Sequence, residues 1–149
     1  NLHLDFAGGV AHRIRQLSHL LGSLEQPSGS ITGTVDVLTG DFNTSGHHRS
    51  KQAWAGTQQV LNVARRNGFT DCSAGVPWTS DLFSSIDPAD PTQRILRVGR
   101  FLGLRYQQKL DHLLVRGAST VAPAVAVTSF EGVHLPGSDH LPLAVELIL

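Results

Sequence analysis

Four short polar stretches contain the residues of this sequence whose types suit chemistry. Each stretch lies at or near the end of an apolar or β-branched run that predicts a strand. Layered α/β folds place their ligand sites at strand ends, where loops vary over a rigid base. We therefore predict that the four stretches meet at one cleft. They are Asn-Leu-His-Leu at residues 1–4, Gly-Asp-Phe-Asn at 40–43, Leu-Asp-His-Leu at 110–113 and Ser-Asp-His-Leu-Pro-Leu at 138–143.

Six residues of these stretches, two histidines, three carboxylates and one amide, form a set that suits the hydrolysis of a phosphate ester. An attacking water needs a base to take its proton. The charge that develops on phosphorus needs cations or hydrogen-bond donors. A hard divalent cation such as Mg²⁺ prefers carboxylate and carbonyl oxygens. The six residues concerned are His3, Asp41, Asn43, Asp111, Asp139 and His140.

Each of these residues also has a purely structural explanation. Asp41 and Asn43 have the residue types that turns favour. Asp139 and His140, taken alone, fit a turn before a strand followed by a surface histidine. Asp111 is different, because a carboxylate inside an apolar strand is costly to bury unpaired, so we predict a partner for it.

For some polar residues we predict a structural or solvent-exposed role and no part in the chemistry of the site. His112 is predicted to point away from Asp111, since neighbouring side chains alternate along a strand. The His47-His48 pair is predicted to lie in an exposed polar loop. The four arginines between residues 94 and 105 are predicted to form a solvated face, with contact to substrate phosphates as the alternative.

The elements that must position these residues follow from hydrophobic periodicity. Alternating apolar residues and β-branched runs predict strands, and apolar residues spaced three and four positions apart predict helices. The order of these elements predicts a mixed sheet with helices on one face, an α/β or α+β layer. A stop signal for the second helix is Asn67-Gly68. Residues 92–104 are compatible with a short helix or an extended hairpin. Predicted strands are 2–6, 34–39 (with 40–43 as its exit turn), 109–115, 121–130 at an edge and 141–149 as a buried strand, and predicted helices are 10–24 and about 50–66.

Composition limits the function classes. The 149 residues are 40% hydrophobic, enough for one domain with one core. Twelve basic and twelve acidic residues give no net charge, which excludes a general electrostatic attraction to nucleic acid or anionic membranes but leaves a local patch possible. The single cysteine, Cys72, allows no internal disulfide and is expected to be buried. No membrane span or signal peptide is recognised, which favours a cytoplasmic location.

The four motifs, in this order, resemble the second half of the endonuclease/exonuclease/phosphatase (deoxyribonuclease I-like) superfamily, especially its small bacterial members. The resemblance runs from Asn1 to the last strand. It implies a magnesium-dependent phosphoester hydrolase, a phosphodiesterase, phosphatase or nuclease, with Mn²⁺ as a possible substitute for Mg²⁺. Its substrate would be a small phosphoester, a lipid head group or a nucleic acid, and an activated water would attack phosphorus in line.

The resemblance also implies residue roles. His140 would activate the attacking water, and Asp111 would hold the His140 ring in the right tautomer. Asp41 and Asn43 would position the nucleophile and a phosphate oxygen, and Asp41 would also lie at the metal. His3 would bind the phosphate or help to protonate it. The remaining metal contact is assigned to Asp139.

The resemblance covers only part of the superfamily's domain. The full fold is a β-sandwich flanked by helices, four layers in the order α/β/β/α, and residues 1–149 would supply its C-terminal half. The main metal-binding glutamate belongs to the other half, which we expect in the same or another chain. The sequence begins at Asn1, directly before a predicted strand, so we expect a piece of a longer protein. The alternative function is a non-catalytic half-domain that binds a partner.

Overall fold

The computed structural model describes residues 1–24, 34–46, 51–83, 90–118, 120–127, 129–130, 133–134 and 140–148. The helices are α1 (Gly9–Leu24), α2 (Lys51–Arg66) and α3 (Arg94–Phe101), and a 3₁₀ turn at Pro91–Gln93 precedes α3. The strands are β1 (Leu2–His3), β2 (Asp36–Gly46), β3 (Thr70–Asp71), β4 (Ser80–Asp81), β5 (Gln107–Arg116), β6 (Thr120–Val121), β7 (Val125–Ala126), β8 (Ser129–Phe130), β9 (Val133–His134), β10 (Leu143–Ala144) and β11 (Leu147–Ile148).

A mixed five-stranded sheet forms the centre of the molecule. Its order is β1-β2-β5-β3, and β4 pairs with another part of β5. Strand β1 is parallel to β2, whereas β2, β3 and β4 are all antiparallel to β5. The long strands β2 and β5 provide the pairing that places the other three. Two-stranded pairs are formed by β10 with β7, by β11 with β6 and by β8 with β9.

Both faces of the sheet are covered, because alternate residues of β5 enter different cores. Leu114 is fully buried among residues of α1, α2 and β2, including Leu17, Leu61 and Phe42. Its neighbour Leu113 packs on the other side with Cys72 and Ala124. The predicted burial of the single cysteine is therefore confirmed. Val115 and partly buried residues of β6, β10 and β11 complete the second core.

The two long helices form where the sequence predicts them. Leu17 and Leu21 lie on the buried side of α1, four residues apart and thus one above the other. Helix α2 ends as the Asn67-Gly68 signal indicates. Gly68 has a φ of +81°, its N–H donates to Arg65, and the Phe69 N–H donates to the Ala64 carbonyl. This is a Schellman motif, which satisfies the last carbonyls of a helix.

Three predictions about strands are wrong in part. Residues 40–43 are not an exit turn but lie inside β2, whose register with β5 shifts only between Asp41 and Gly46. Residues 2–6 form a strand only at Leu2–His3. In the described part of residues 121–130 the strand is divided into short pieces, since Pro123 has no N–H to donate between β6 and β7.

The C-terminal segment also differs from its prediction. Residues 141–149 were expected to be one buried strand, but the described part contains β10 and β11, each two residues long. Half-buried residues alternate with exposed ones along it, so only one side packs against the sheet. Residues 92–104, which are compatible with a short helix or an extended hairpin by sequence, contain the helix α3. The predicted exposed loop at His47-His48 lies outside the described residues.

Within the described residues the architecture is a mixed α/β fold with a central sheet and three helices, as the element order predicts in general form. Helix α2 packs on β2 and on α1, and the short strands cover the opposite face. Across the described residues, no helix combines the length and apolar character needed to cross a membrane.

Candidate active site

Asp111 and His140 form a hydrogen-bonded pair at one end of the sheet. The His140 Nδ1 atom lies 2.8 Å from Asp111 Oδ2. An ionised carboxylate only accepts hydrogen bonds, so Nδ1 donates and Nε2 carries the lone pair of a neutral ring. Both side chains remain accessible, with exposed fractions of 29% for His140 and 16% for Asp111. The predicted partner of Asp111 is therefore His140.

Three of the predicted residues lie in a row across neighbouring strands. His3 of β1 is the register partner of Asp41 in β2, and Asp41 is the register partner of Asp111 in β5. Directly opposed residues on paired antiparallel strands project from the same face of the sheet. The His3 Nε2 atom lies 3.8 Å from Asp41 Oδ2, and the His3 side chain is 77% exposed. His140 extends this row through its bond to Asp111.

Asn43 secures the first strand to the second. Its φ of +47° lies in the left-handed region, which asparagine tolerates better than most residues. In this conformation its N–H donates to Asp41 Oδ1 at 2.6 Å, and its side-chain Nδ2 donates to the Leu4 carbonyl at 2.6 Å. Asn43 is buried, so its side-chain nitrogen holds β1 against β2.

Gly40 allows β1 to approach β2 this closely. Its φ of +133° is a conformation that residues with a side chain rarely adopt. A Cβ atom on Gly40 would overlap the carbonyl oxygen of Leu2. The glycine immediately before Asp41 therefore permits the His3–Asp41 approach.

Thr79 is a positioning residue that the sequence analysis missed. Its hydroxyl oxygen accepts hydrogen bonds from the N–H groups of Asp111, at 2.9 Å, and Leu110, at 3.0 Å. Its carbonyl accepts the N–H of Leu141 at 2.7 Å, and an isolated bridge pairs Ser80 with His140. Thr79 is fully buried and joins the backbones that carry both members of the Asp111–His140 pair.

An open cleft lies beside this pair, with a volume of about 290 Å³. Asp111 and His140 are its charged and titratable lining residues, and the backbone of Gly40 forms part of its wall. The cleft is large enough for a phosphate group and part of its substituent. Its remaining lining residues are Thr39, Leu141, Pro142 and Leu143.

No protein-family model matches the sequence, and no curated protein matches it.

A second His–Asp pair lies sealed inside the molecule. His112 is the neighbour of Asp111 on β5, yet its ring is 1% exposed and packs edge-on against Phe42 at a centroid distance of 5.3 Å. The His112 Nδ1 atom lies 3.6 Å from Asp71 Oδ2 and has no hydrogen-bond partner among the described residues, whereas Nε2 lies 2.9 Å from the Thr44 hydroxyl. His112 thus points away from Asp111, as alternation requires.

The surroundings of this buried pair shift several pKa values. Burial lowers the pKa of His112, because it disfavours the charged ring more than the neighbouring Asp71 carboxylate favours it. Burial acts to raise the pKa of Asp71, but His112, the Ser73 hydroxyl and Lys109 favour the carboxylate and leave its pKa lowered. Burial lowers the pKa of Lys109, whose ammonium donates to the Ser73 carbonyl.

The predicted metal ligands fit a Mg²⁺ site only in part. Asp41 offers a carboxylate at the row, the oxygen chemistry that a hard cation prefers. Asp139, the other predicted ligand, lies outside the described residues. Among the residues that the structure describes, no three His, Cys, Asp or Glu side chains form a group that could hold a metal ion.

Proposed function

We propose that the chain carries part of the active site of a phosphoester hydrolase, with His140 as the general base. The observation that carries this proposal is the 2.8 Å contact between His140 Nδ1 and Asp111 Oδ2 at the edge of an open cleft. A histidine whose Nδ1 is held by a carboxylate presents its other nitrogen as a proton acceptor in a fixed orientation.

The proposed reaction uses water as the nucleophile. His140 Nε2 accepts a proton from the water as its oxygen forms a bond to phosphorus. The bond between phosphorus and the leaving alcohol oxygen breaks on the opposite side. The leaving oxygen takes a proton from His3 or from solvent. Asp111 stabilises the His140 imidazolium that forms, and this is the role that its hydrogen bond supports.

Asp41 and Asn43 are proposed to position the nucleophile and a phosphate oxygen. The Asn43 N–H to Asp41 Oδ1 bond supports this by fixing the Asp41 carboxylate beside the row. Asp41 and Asp139 would hold Mg²⁺, or Mn²⁺ in its place. A bound ion would supply positive charge to phosphate oxygens.

The proposed function also implies a larger fold than the described elements form. We infer a half of a four-layer α/β/β/α sandwich, with the other half supplied by the same or another chain. The helices that cover one face of the sheet support the helical layer of this arrangement. The substrate remains a phosphoester of one of three classes, a small molecule, a lipid head group or a nucleic acid.

The decisive experiment is hydrolysis of bis(p-nitrophenyl) phosphate and p-nitrophenyl phosphate with Mg²⁺ or Mn²⁺, and with chelator. His140→Ala should lower the rate by about 10²- to 10⁴-fold, the usual contribution of a general base. The matched control is His12→Ala, since the His12 Nε2 atom also lies near a carboxylate, 3.4 Å from Asp5 Oδ2, but His12 is not one of the residues that line the cleft. Equal rates in the two variants would refute the role of His140.

A second readout does not require turnover. Inorganic phosphate is titrated into the protein while the histidine ring signals are followed by NMR. The His140 and His3 signals should move with one saturating dependence, and the His12 signals should not. Hydrolysis absent with both metals, together with unmoved His140 signals, would instead support the non-catalytic binding module.

A further inference from the structure

Helix α3 exposes an unusual amount of apolar surface. Ile95 is 84% exposed, Val98 54%, Phe101 90% and Leu102 65%. Single exposed apolar residues are ordinary on protein surfaces, but a contiguous group marks an interaction site. These four residues, with the arginines between and beside them, are called the α3 surface below.

The orientation of α3 is set by the residues on its other side. Gly99 is buried, and a Cβ atom there would come within 2.6 Å of Phe83 Cε1, so the helix backbone packs directly against that ring. Leu96 is half-buried on the same side. At 3.6 residues per turn, Val98 and Phe101 lie on the side of α3 away from Gly99, whereas Ile95 and Leu102 flank the contact with Phe83 and are exposed at its edge.

The C-terminal end of α3 adds to the exposed apolar group. Gly103 has a φ of +72°, and the Leu104 N–H donates to the Gly99 carbonyl at 2.9 Å. The Gly103 N–H donates to the Arg100 carbonyl, which completes a Schellman motif. This turn leaves Leu104 53% exposed directly beyond the helix.

The charge of helix α3 itself is of one sign, and an acidic residue flanks it, since Asp90 lies close enough to Arg97 for an electrostatic interaction. Helix α3 contains Arg94, Arg97 and Arg100 and no acidic residue. Arg105 follows the helix, and its side chain is 68% exposed while it reaches Asp81 at 3.5 Å. The whole chain has no net charge, so this concentration of arginines is a local feature. Arginine binds phosphate groups through a planar fork of donors.

Apolar and cationic side chains together identify the partner. A nucleic acid would neutralise the arginines and could stack on Phe101, but it would leave the aliphatic stripe of Ile95 and Val98 in water. A bilayer with anionic lipids satisfies both, because acyl chains accept the aliphatic side chains while head-group phosphates meet the arginines. A short amphipathic helix that lies in the interface has this composition.

We propose that the α3 surface docks the protein on the surface of a membrane rich in anionic lipid. The apolar side chains enter the boundary between head groups and acyl chains, and the arginines contact lipid phosphates. The helix lies on the bilayer and does not cross it. This proposal does not depend on the proposed hydrolase activity, since it concerns binding by a different group of residues.

The experiment is co-sedimentation of the purified protein with vesicles of phosphatidylcholine alone, or of phosphatidylcholine with phosphatidylglycerol, at low and high salt. Binding should require phosphatidylglycerol and should weaken as salt rises. Arg94→Gln with Arg100→Gln should lower the partition coefficient about 25-fold, at about fivefold for each arginine near an anionic surface. Phe101→Ser should lower it about tenfold or more, through the loss of buried apolar area.

Matched controls come from exposed residues elsewhere. Phe6 is 71% exposed, so Phe6→Ser removes a comparable aromatic ring outside α3. Arg15→Gln with Arg66→Gln removes two exposed arginines from α1 and α2. Both controls should bind vesicles as the unmodified protein does, and circular dichroism should show the same helix content in all variants.

Three results would overturn the proposal. The first is no binding to vesicles that contain phosphatidylglycerol. The second is binding that persists unchanged in Phe101→Ser and in the double arginine variant. The third is binding of a single-stranded oligonucleotide that depends on the arginines while vesicles are not bound, which would assign the surface to nucleic acid.

Discussion

Two of the His–Asp pairs in this molecule share strand β5, and adjacent residues of that strand belong to different pairs. Asp111 holds His140 at 2.8 Å beside an open cleft, whereas His112 faces Asp71 at 3.6 Å in a closed interior. The His140 ring is 29% exposed and the His112 ring 1%. The residue types are the same, but only the first pair can exchange a proton with a bound water. Access to solvent separates a candidate site from a structural contact.

The sharpest test of this comparison is the same substitution in each pair. Asp71→Asn should cost about 3–5 kcal/mol of unfolding free energy, because it removes one partner of a buried charged group that also includes Lys109. Asp111→Asn should cost about 1 kcal/mol or less, as expected for an accessible pair, and should instead reduce phosphoester hydrolysis about 10²- to 10⁴-fold. Urea denaturation and initial rates measure the two effects.

The test compares the loss of unfolding free energy in the two variants. If Asp111→Asn proved as destabilising as Asp71→Asn, Asp111 would be chiefly a structural residue. Circular dichroism before each assay ensures that any loss of hydrolysis belongs to folded protein.

Thr79 offers a way to weaken the accessible pair without changing either member. Thr79→Val keeps the shape but leaves the N–H groups of Leu110 and Asp111 without their buried acceptor. We expect a loss of about 1–3 kcal/mol of unfolding free energy, the cost of a buried polar group left unsatisfied. Hydrolysis at saturating substrate should fall, because the backbone that carries Asp111 would shift.

Thr79→Ser is the matched control, since it restores the acceptor oxygen. It should recover most of the hydrolysis, although it removes a methyl group from the core. Failure of Thr79→Ser to perform better than Thr79→Val would show that packing, and not the hydroxyl, is what Thr79 provides.

The buried pair should also make stability depend on pH. Burial lowers the pKa of His112 in the folded protein, while the unfolded ring keeps a value near 6.5. Below about pH 6.5 the unfolded state therefore binds a proton that the folded state does not, so stability falls as the pH falls, by up to about 1.4 kcal/mol per pH unit. Urea denaturation between pH 7.5 and 5.5 measures this slope.

The variant His112→Leu should flatten the slope. An unchanged slope in His112→Leu would show that other groups cause the dependence. Asp71 also makes stability depend on pH, in a lower pH range. Its pKa is lowered in the folded state, so its contribution to stability is present above about pH 3.9 and is lost as the pH falls through the folded value.

The sequence predicted the long helices and the grouping of the site residues for identifiable reasons. Repeating apolar positions and the Asn67-Gly68 stop are local signals, and both helices follow them. The site residues were recognised by type, since a histidine or aspartate beside an apolar run stands out. Their placement in one row depends on strand pairing, which His3, Asp41 and Asp111 share through β1, β2 and β5.

Residues that act through the backbone could not be predicted in this way. Thr79 has an ordinary sequence context, and its role exists only because β4 pairs with β5 near it. Asp71 was not recognised, because its partner His112 lies 41 positions away and on the face that alternation assigns to structure. One buried strand was predicted for residues 141–149 because their composition is apolar. In the described part, residues 141–148, half-buried and exposed residues alternate.

Gly40 shows how far a backbone position can govern the chemistry beside it. A hydrogen atom in place of a methyl group there lets the first strand lie against the second, and so sets the 3.8 Å separation of His3 and Asp41. Neither Gly40 nor Leu2 has a polar side chain. Two residues with no reactive side chain therefore determine the distance between two reactive groups.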